Sequence, residues 1–186
     1  MDSDLKLPAT AHVVLGLVSV KPATGHELAG FSERSIGNFF PIARSQIYSE
    51  LDRLCGLGLV SATEIPQPRF PTKRVYELTE AGAAELRRWL EEAEVSVERT
   101  RNLFLVRVFF GDRVDFQRLD ALLDRYEANA RADRDRFGAV ADRLAGRPET
   151  AFRRATAVYG MRHAQATLDW VAEVRPLLRE ASCSGV

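Results

Sequence analysis

The 186-residue chain balances 26 Lys and Arg against 26 Asp and Glu, which excludes a global basic field and makes any attraction for nucleic acid a local matter. A 46% hydrophobic and 28% charged content fits a core-forming chain in water, and no apolar run reaches the roughly 18 residues needed to cross a membrane. The opening MDSDLKLPAT lacks the basic start and apolar stretch of a secretory signal, and Cys55 and Cys183 lie far apart in no metal or redox motif, so a cytoplasmic protein is expected.

A first helix is expected from Pro8 to Val20, with its apolar stretch from Val13 onward. Lys21-Pro22-Ala23 breaks it. Thr24, with Glu27 three residues on, has the capping-box pattern that starts a second helix from Gly25 to about Arg34. Phe39 and Phe40, in the loop that follows, read as core plugs. A third helix is expected from about Ala43 to Gly56. On a wheel of 3.6 residues per turn Ile47, Leu51 and Leu54 share the side that would be buried. Ser45, Gln46, Ser49, Asp52 and Arg53 share the other, with Tyr48 at the margin and Arg44 in the first turn. A helix N-terminus offers free N–H groups and partial positive charge, so phosphate approaches it readily.

An extended run, Leu59 to Ile65, comes next, then PQPRFPTKR, then a second extended run from Arg74 to Leu78. Pro66, Pro68 and Pro71 remove backbone donors and stiffen the connection. Arg69, Lys73 and Arg74 surround it with no acid between Glu64 and Glu77. Helix, strand, basic turn, strand is the order of a winged helix-turn-helix, which offers DNA one helix for the groove and one hairpin for the backbone. Thr79 is the expected cap of a further helix running through Leu86, Trp89 and Leu90 to about Val97.

The remainder reads as helical. Asn102 to Phe110 is apolar nearly all round except for Arg107, as a fully buried helix would be. After Gly111-Asp112, Phe116, Leu123, Ala130, Phe137 and Leu144 recur every seven residues, with Leu119, Tyr126 and Val140 at the second heptad position. A helix of roughly 30 residues, about 45 Å, overhangs so small a domain unless another chain covers it. Gly146-Arg147-Pro148 ends it. The last helix, about Glu149 to Glu180, carries one stripe of Phe152, Tyr159, His163, Ala166, Trp170, Val174 and Leu177, and a second of Val158, Met161, Leu168, Val171 and Leu178. Two apolar surfaces imply two partners, one within the subunit and one across a two-fold axis.

At these positions the chain resembles a known family. Ile47-Tyr48-x-x-Leu51-x-x-Leu54-x-x-x-Gly58-Leu59-Val60, followed by Arg74-Val75-Tyr76-x-Leu78-Thr79-x-x-Gly82, is similar to the signature of PadR-type transcriptional regulators. Upstream, Val14-Leu15-Gly16-Leu17 and Gly25-His26-Glu27-Leu28 resemble that family's opening helix and the start of its second. His26 stands where Tyr is usual, and Phe39-Phe40-Pro41 where a Phe-Trp pair is common. The resemblance implies that the helical half is a dimerisation module and that a flat aromatic effector could lodge at its interface.

The expected fold is mainly α. Residues 1–97 form a winged-helix DNA-binding domain with a two-stranded wing, and residues 98–186 an all-helical dimerisation domain. The expected function is a dimeric DNA-binding regulator, a repressor on a pseudo-palindromic operator, with no catalysis, cofactor or metal. Its partners are double-stranded DNA, a second copy and a small aromatic effector. The DNA surface is drawn from Arg44, Ser45, Gln46, Tyr48, Ser49, Arg53, Arg69, Lys73 and Arg74, and the effector contacts from Tyr159, His163 and Trp170. The interface between copies is drawn from Phe116, Leu119, Leu123, Tyr126, Phe152, Tyr159, Trp170 and Leu177. The rival reading is a winged-helix module that binds protein and not DNA, for which the net charge of zero is the best support. Residues 1–95 hold 10 basic and 13 acidic side chains.

Overall fold

The computed structural model describes residues 7–66, 72–92 and 101–183. The chain divides into two compact units, residues 1–97 and 98–186.

In the first unit, α1 (Ala9–Val18) is the central helix, and Ala11, Val14 and Leu15 are fully buried in it. Its last turn closes where the Ser19 hydroxyl donates to the Gly16 carbonyl at 2.8 Å. Thr24 caps α2 (Gly25–Ser35) as its spacing to Glu27 predicts: the Glu27 N–H donates to Thr24 Oγ1, and the Thr24 N–H donates to the Glu27 carboxylate at 2.8 Å. The Thr24 N–H and the Thr24 hydroxyl, both donating to it, hold the Glu27 carboxyl below its ordinary range. The same segment supplies something not expected from sequence. Ala23–Thr24 is a two-residue strand, β1, pairing antiparallel with Tyr76 and Val75. The sheet therefore has three strands in the order β1-β3-β2, with β2 at Val60–Ile65 and β3 at Lys73–Leu78.

α3 (Arg44–Gly56) buries Ile47, Leu51 and Leu54 completely, which is the stripe its spacing defines. The loop before it departs from expectation. Phe40 packs against the core, whereas Phe39 is 53% exposed, so only one of the two acts as a plug. Cys55, near the end of α3, is partly buried, and burial pushes its thiol up, leaving it a protonated apolar side chain.

The turn from α3 into the sheet is joined to the start of α4 (Glu80–Glu92). Gly58 takes φ +69°, where a side chain would be strained. The Thr79 hydroxyl donates to the Gly58 carbonyl at 2.8 Å and accepts from the Gly82 N–H at 3.0 Å. A Cβ on Gly82 would run into the Leu59 carbonyl oxygen, which is backbone and cannot step aside. Gly82→Ala is therefore expected to destabilise this unit by about 1–3 kcal/mol, as overpacking does. Urea unfolding of the variant checks this. At the far side of α1, the His12 ring stacks on Trp89 with centroids 5.0 Å apart, and its Nε2 lies 2.9 Å from Glu85 Oε1.

In the second unit α6 (Phe116–Arg143) and α7 (Ala151–Cys183) form an antiparallel hairpin. Arg175 on α7 reaches Asp124 at 2.8 Å and Glu127 at 3.1 Å, and Arg154 donates to the Ala141 carbonyl at 3.2 Å. The turn uses Gly146 at φ +73° and a Thr150 hydroxyl bond to the Leu144 carbonyl. Leu119, Leu123, Ala130 and Ala141 of α6 are buried, as are Ala157, Ala164 and Val171 of α7. The α6 heptad face is thus covered by α7 of the same chain. Heptad spacing specifies that a helix is covered but not by which one.

α5 (Leu103–Phe109) is a second correction. Its composition reads as fully buried, yet it has no buried residue: Leu103 is 73% and Phe109 80% exposed. Asn102 caps it by accepting from the Phe104 and Leu105 N–H groups at 3.0 and 3.2 Å. Among the described residues no helix is long and apolar enough to cross a membrane.

Candidate nucleic-acid interface

With Ile47, Leu51 and Leu54 facing the core, α3 turns Arg44, Ser45, Gln46, Tyr48, Ser49, Asp52 and Arg53 to solvent. Gln46 and Tyr48 are engaged beside the helix itself. Gln46 folds back, its Oε1 accepting from the Ala43 N–H at 3.3 Å, so it caps the helix it belongs to. Tyr48 lies against Gly25 at the start of α2, where any Cβ would meet its ring. The small residue at position 25 therefore seats the Tyr48 side chain. Ser45 and Ser49 leave short hydroxyls on the open face.

The wing stands beside this face. β2 and β3 pair Glu64 with Arg74 and Ile65 with Lys73. Arg74 is exposed and leaves the sheet toward α3: its Nη1 donates to Asp52 Oδ1 at 2.9 Å, and its guanidinium sits 5.2 Å from the Tyr76 ring centroid. Beneath it Tyr76 is buried, which pushes its phenol up and keeps it neutral. Lys73 is half-buried at the end of β3. Arg69, with Pro68 and Pro71, lies outside the described residues.

The electrostatics of the face are more balanced than a count of basic residues implies. Arg44 donates from Nε and Nη2 to the two carboxylate oxygens of Glu33 on α2, at 2.8 and 3.0 Å. Arg53 is 3.9 Å from Glu50. Each described arginine of the face thus has a carboxylate neighbour, and solvent screens pairs as exposed as these. At Arg53 and Arg74, where the contact is long or through one nitrogen, a phosphate can therefore compete for the guanidinium. The cross-element pairs Arg44–Glu33 and Arg74–Asp52 join residues 11 and 22 apart in sequence. No periodicity marks them.

In the helical unit the expected effector residues do not come together. Trp170 is half-buried in an aromatic cluster, edge-on to both Phe104 and Tyr126 at 6.2 Å, and those two rings stack at 4.0 Å. Asn102 Nδ2 donates to the Tyr126 hydroxyl at 3.1 Å. Tyr159 and His163 stack on each other at 6.2 Å on the exposed side of α7. Eleven residues of helix, about 16 Å, separate Tyr159 from Trp170. The three cannot line one small cleft of a single chain.

Of the residues expected between copies, Leu119 and Leu123 are buried within the chain, Tyr126 and Trp170 belong to the aromatic cluster, and Phe116 lies under the Arg179 guanidinium at 5.8 Å. Leu119, which packs beside Gly111, and Leu123 are already buried by their own chain. Phe152, Tyr159 and Leu177 remain outward, at 89%, 70% and 59% exposure.

A three-helix core with a polar third helix and an adjoining two-stranded wing defines a winged helix-turn-helix protein. Residues 14–88 match the model described as the transcriptional regulator PadR-like family, and residues 100–179 match that of the virulence activator alpha C-terminal region. The chain is 27% identical to the probable transcriptional regulator Rv1176c of Mycobacterium tuberculosis over 92% of its own length and 98% of that protein. It is also 27% identical to the negative transcriptional regulator PadR of Bacillus subtilis, over 53% of its own length and 54% of that protein. The fold matches Bacillus subtilis PadR solved with operator DNA at a TM-score of 0.84, 18% identity and coverage of 92% of this chain and 99% of that one. The same protein solved with p-coumaric acid matches at 0.79 and 18% identity, with the same coverage. Over residues 14–88 the chain thus carries a domain of the PadR-like transcriptional regulator type.

Proposed function

We propose that the protein binds double-stranded DNA as a two-fold dimer, with α3 in the major groove and the wing on the flanking backbone, and that it represses by occluding a promoter. One observation carries the reading. The polar face of α3, opposite a fully buried stripe, is continuous with Arg74 on the wing through Asp52. The DNA surface in this reading is Arg44, Ser45, Gln46, Tyr48, Ser49 and Arg53 on the helix, with Arg69, Lys73 and Arg74 on the wing. The Bacillus neighbour solved with operator DNA supports the DNA-binding part. The sign of regulation rests on that neighbour's being a negative regulator.

The dimer is supported by what the single chain leaves uncovered. Leu103, Phe109 and Phe110 near α5, and Phe152 and Tyr159 on α7, are large apolar side chains in water. We assign residues 98–186 to dimerisation on that basis, with an interface above about 2,000 Å² as in obligate pairs. A flat aromatic effector is proposed at the helical half, with the p-coumaric acid complex of the Bacillus neighbour as support. Since Tyr159 and His163 lie far from Trp170 within one chain, only a site completed by a second copy could use all three.

Replacing both Lys73 and Arg74 with Ala is expected to weaken binding to every duplex and to flatten the dependence of log K on log salt by about one unit per lost phosphate contact. Ser49→Ala is expected to change sequence preference instead. Fluorescence anisotropy across a salt series checks both, and unchanged affinity in the double variant removes the wing from the interface. The second reading, a module that binds protein and not DNA, is favoured by the carboxylates beside Arg44, Arg53 and Arg74. A protein-binding face would carry exposed aromatic anchors, whereas on α3 Tyr48 alone is aromatic.

A further inference from the structure

Arg44 is the first residue of α3, and the first turn of such a helix is where side chains reach base edges. Its guanidinium has two usable edges. The side edge, Nε and Nη2, is taken by the two oxygens of Glu33 at 2.8 and 3.0 Å. The end edge, Nη1 and the outer hydrogen of Nη2, is left over, and among the described residues Nη1 has no acceptor. An arginine end edge fits guanine, with one donor to O6 and one to N7. The Glu33 and Arg44 side chains are each half exposed, so the pair sits at the surface and not in the core.

The other two described arginines of α3 and the wing, Arg53 and Arg74, are held differently. Arg74 meets Asp52 through one nitrogen, and Arg53 stands 3.9 Å from Glu50. Only at Arg44, of these three, is a whole edge gripped. The bond from Arg44 also keeps the Glu33 carboxyl below its ordinary range, so it stays ionised wherever DNA binding is measured. Because Glu33 is on α2 and Arg44 on α3, the grip spans the turn of the helix-turn-helix.

Resting on the DNA-binding reading above, we propose that Glu33 is a positioning residue for base readout, which holds Arg44 by its side edge and presents the end edge to a guanine in the major groove. Two consequences follow. An arginine already oriented loses less freedom when it pairs with a base. A carboxylate fixed beside it repels phosphate, so the same arginine is a poor backbone clamp. Glu33 thus favours one base at one position and penalises binding to DNA at large.

The test selects from a pool of randomised 30-base-pair duplexes with wild-type protein, Arg44→Ala and Glu33→Gln, and measures each protein's affinity for one mixed-sequence duplex. Wild type is expected to enrich guanine at one position in each half-site, and Arg44→Ala to lose that enrichment. Glu33→Gln is expected to lower it at the same position by about tenfold, a discrimination typical of a bidentate base contact. At the same time its affinity for the mixed-sequence duplex should rise severalfold, with a steeper salt dependence. A misfolded variant loses both activities, so the opposite signs separate lost positioning from lost structure. Undiminished guanine enrichment in Glu33→Gln overturns the proposal, and so does guanine enrichment that survives Arg44→Ala. Wild-type protein that binds neither the pool nor the mixed-sequence duplex overturns the DNA-binding reading itself, and that control is read independently of the variants.

Discussion

Replacing Phe109 and Phe152 together with Glu is expected to convert the proposed dimer into monomers and to lower operator affinity by about 10²- to 10⁴-fold. The size follows from linkage: two recognition helices joined in one dimer bind with an effective concentration that a separated pair lacks. Both phenylalanines are outward in the single chain, at 80% and 89% exposure, so carboxylates there meet water and leave the α6–α7 packing intact. The unfolding of the N-terminal unit should stay near wild type, since neither substitution lies in it. Sedimentation at micromolar concentration checks the first part and anisotropy the second. A wild-type chain that already sediments as a monomer removes the dimer from the account.

The second large effect concerns the operator. A two-fold dimer presents two α3 helices related by symmetry, so half-sites should lie about one or two turns apart, at roughly 10 base pairs per turn. Inserting five base pairs between them turns one half-site to the opposite face of the duplex. The expected outcome is loss of most of the affinity, down to that of a single half-site, while a ten-base-pair insertion costs less. Footprinting on the altered spacers decides it. Undiminished protection after the half-turn insertion contradicts a rigid two-fold arrangement.

How far the fold could be read from the residues depends on the range of the interaction concerned. The α3 stripe and the Thr24–Glu27 cap are set within one or two turns of chain, and both stand where the spacing puts them. β1 escapes such reading because two residues carry no alternation; Ala23 and Thr24 become a strand only where β3 passes beside them. The exposure of α5 and the cover of α6 by α7 escape it for another reason. An apolar surface announces that it will be covered, but whether by its own chain or a second one depends on how the chain folds back. In the proposed DNA surface, residue types and helix face were readable, whereas the engagement of Arg44 by Glu33 and Arg74 by Asp52 was not, since each pair spans separate elements. Those pairs make the surface more nearly neutral than its arginines alone suggest.

The most direct test of the central claim is a gel shift of the full-length protein with the DNA upstream of its own gene, in the presence of excess unrelated duplex. One retarded species containing two chains per duplex is expected, which persists against the competitor at moderate salt and dissolves as salt rises. Unretarded DNA at micromolar protein and low salt would contradict it and leave the winged helix as a module for another kind of partner.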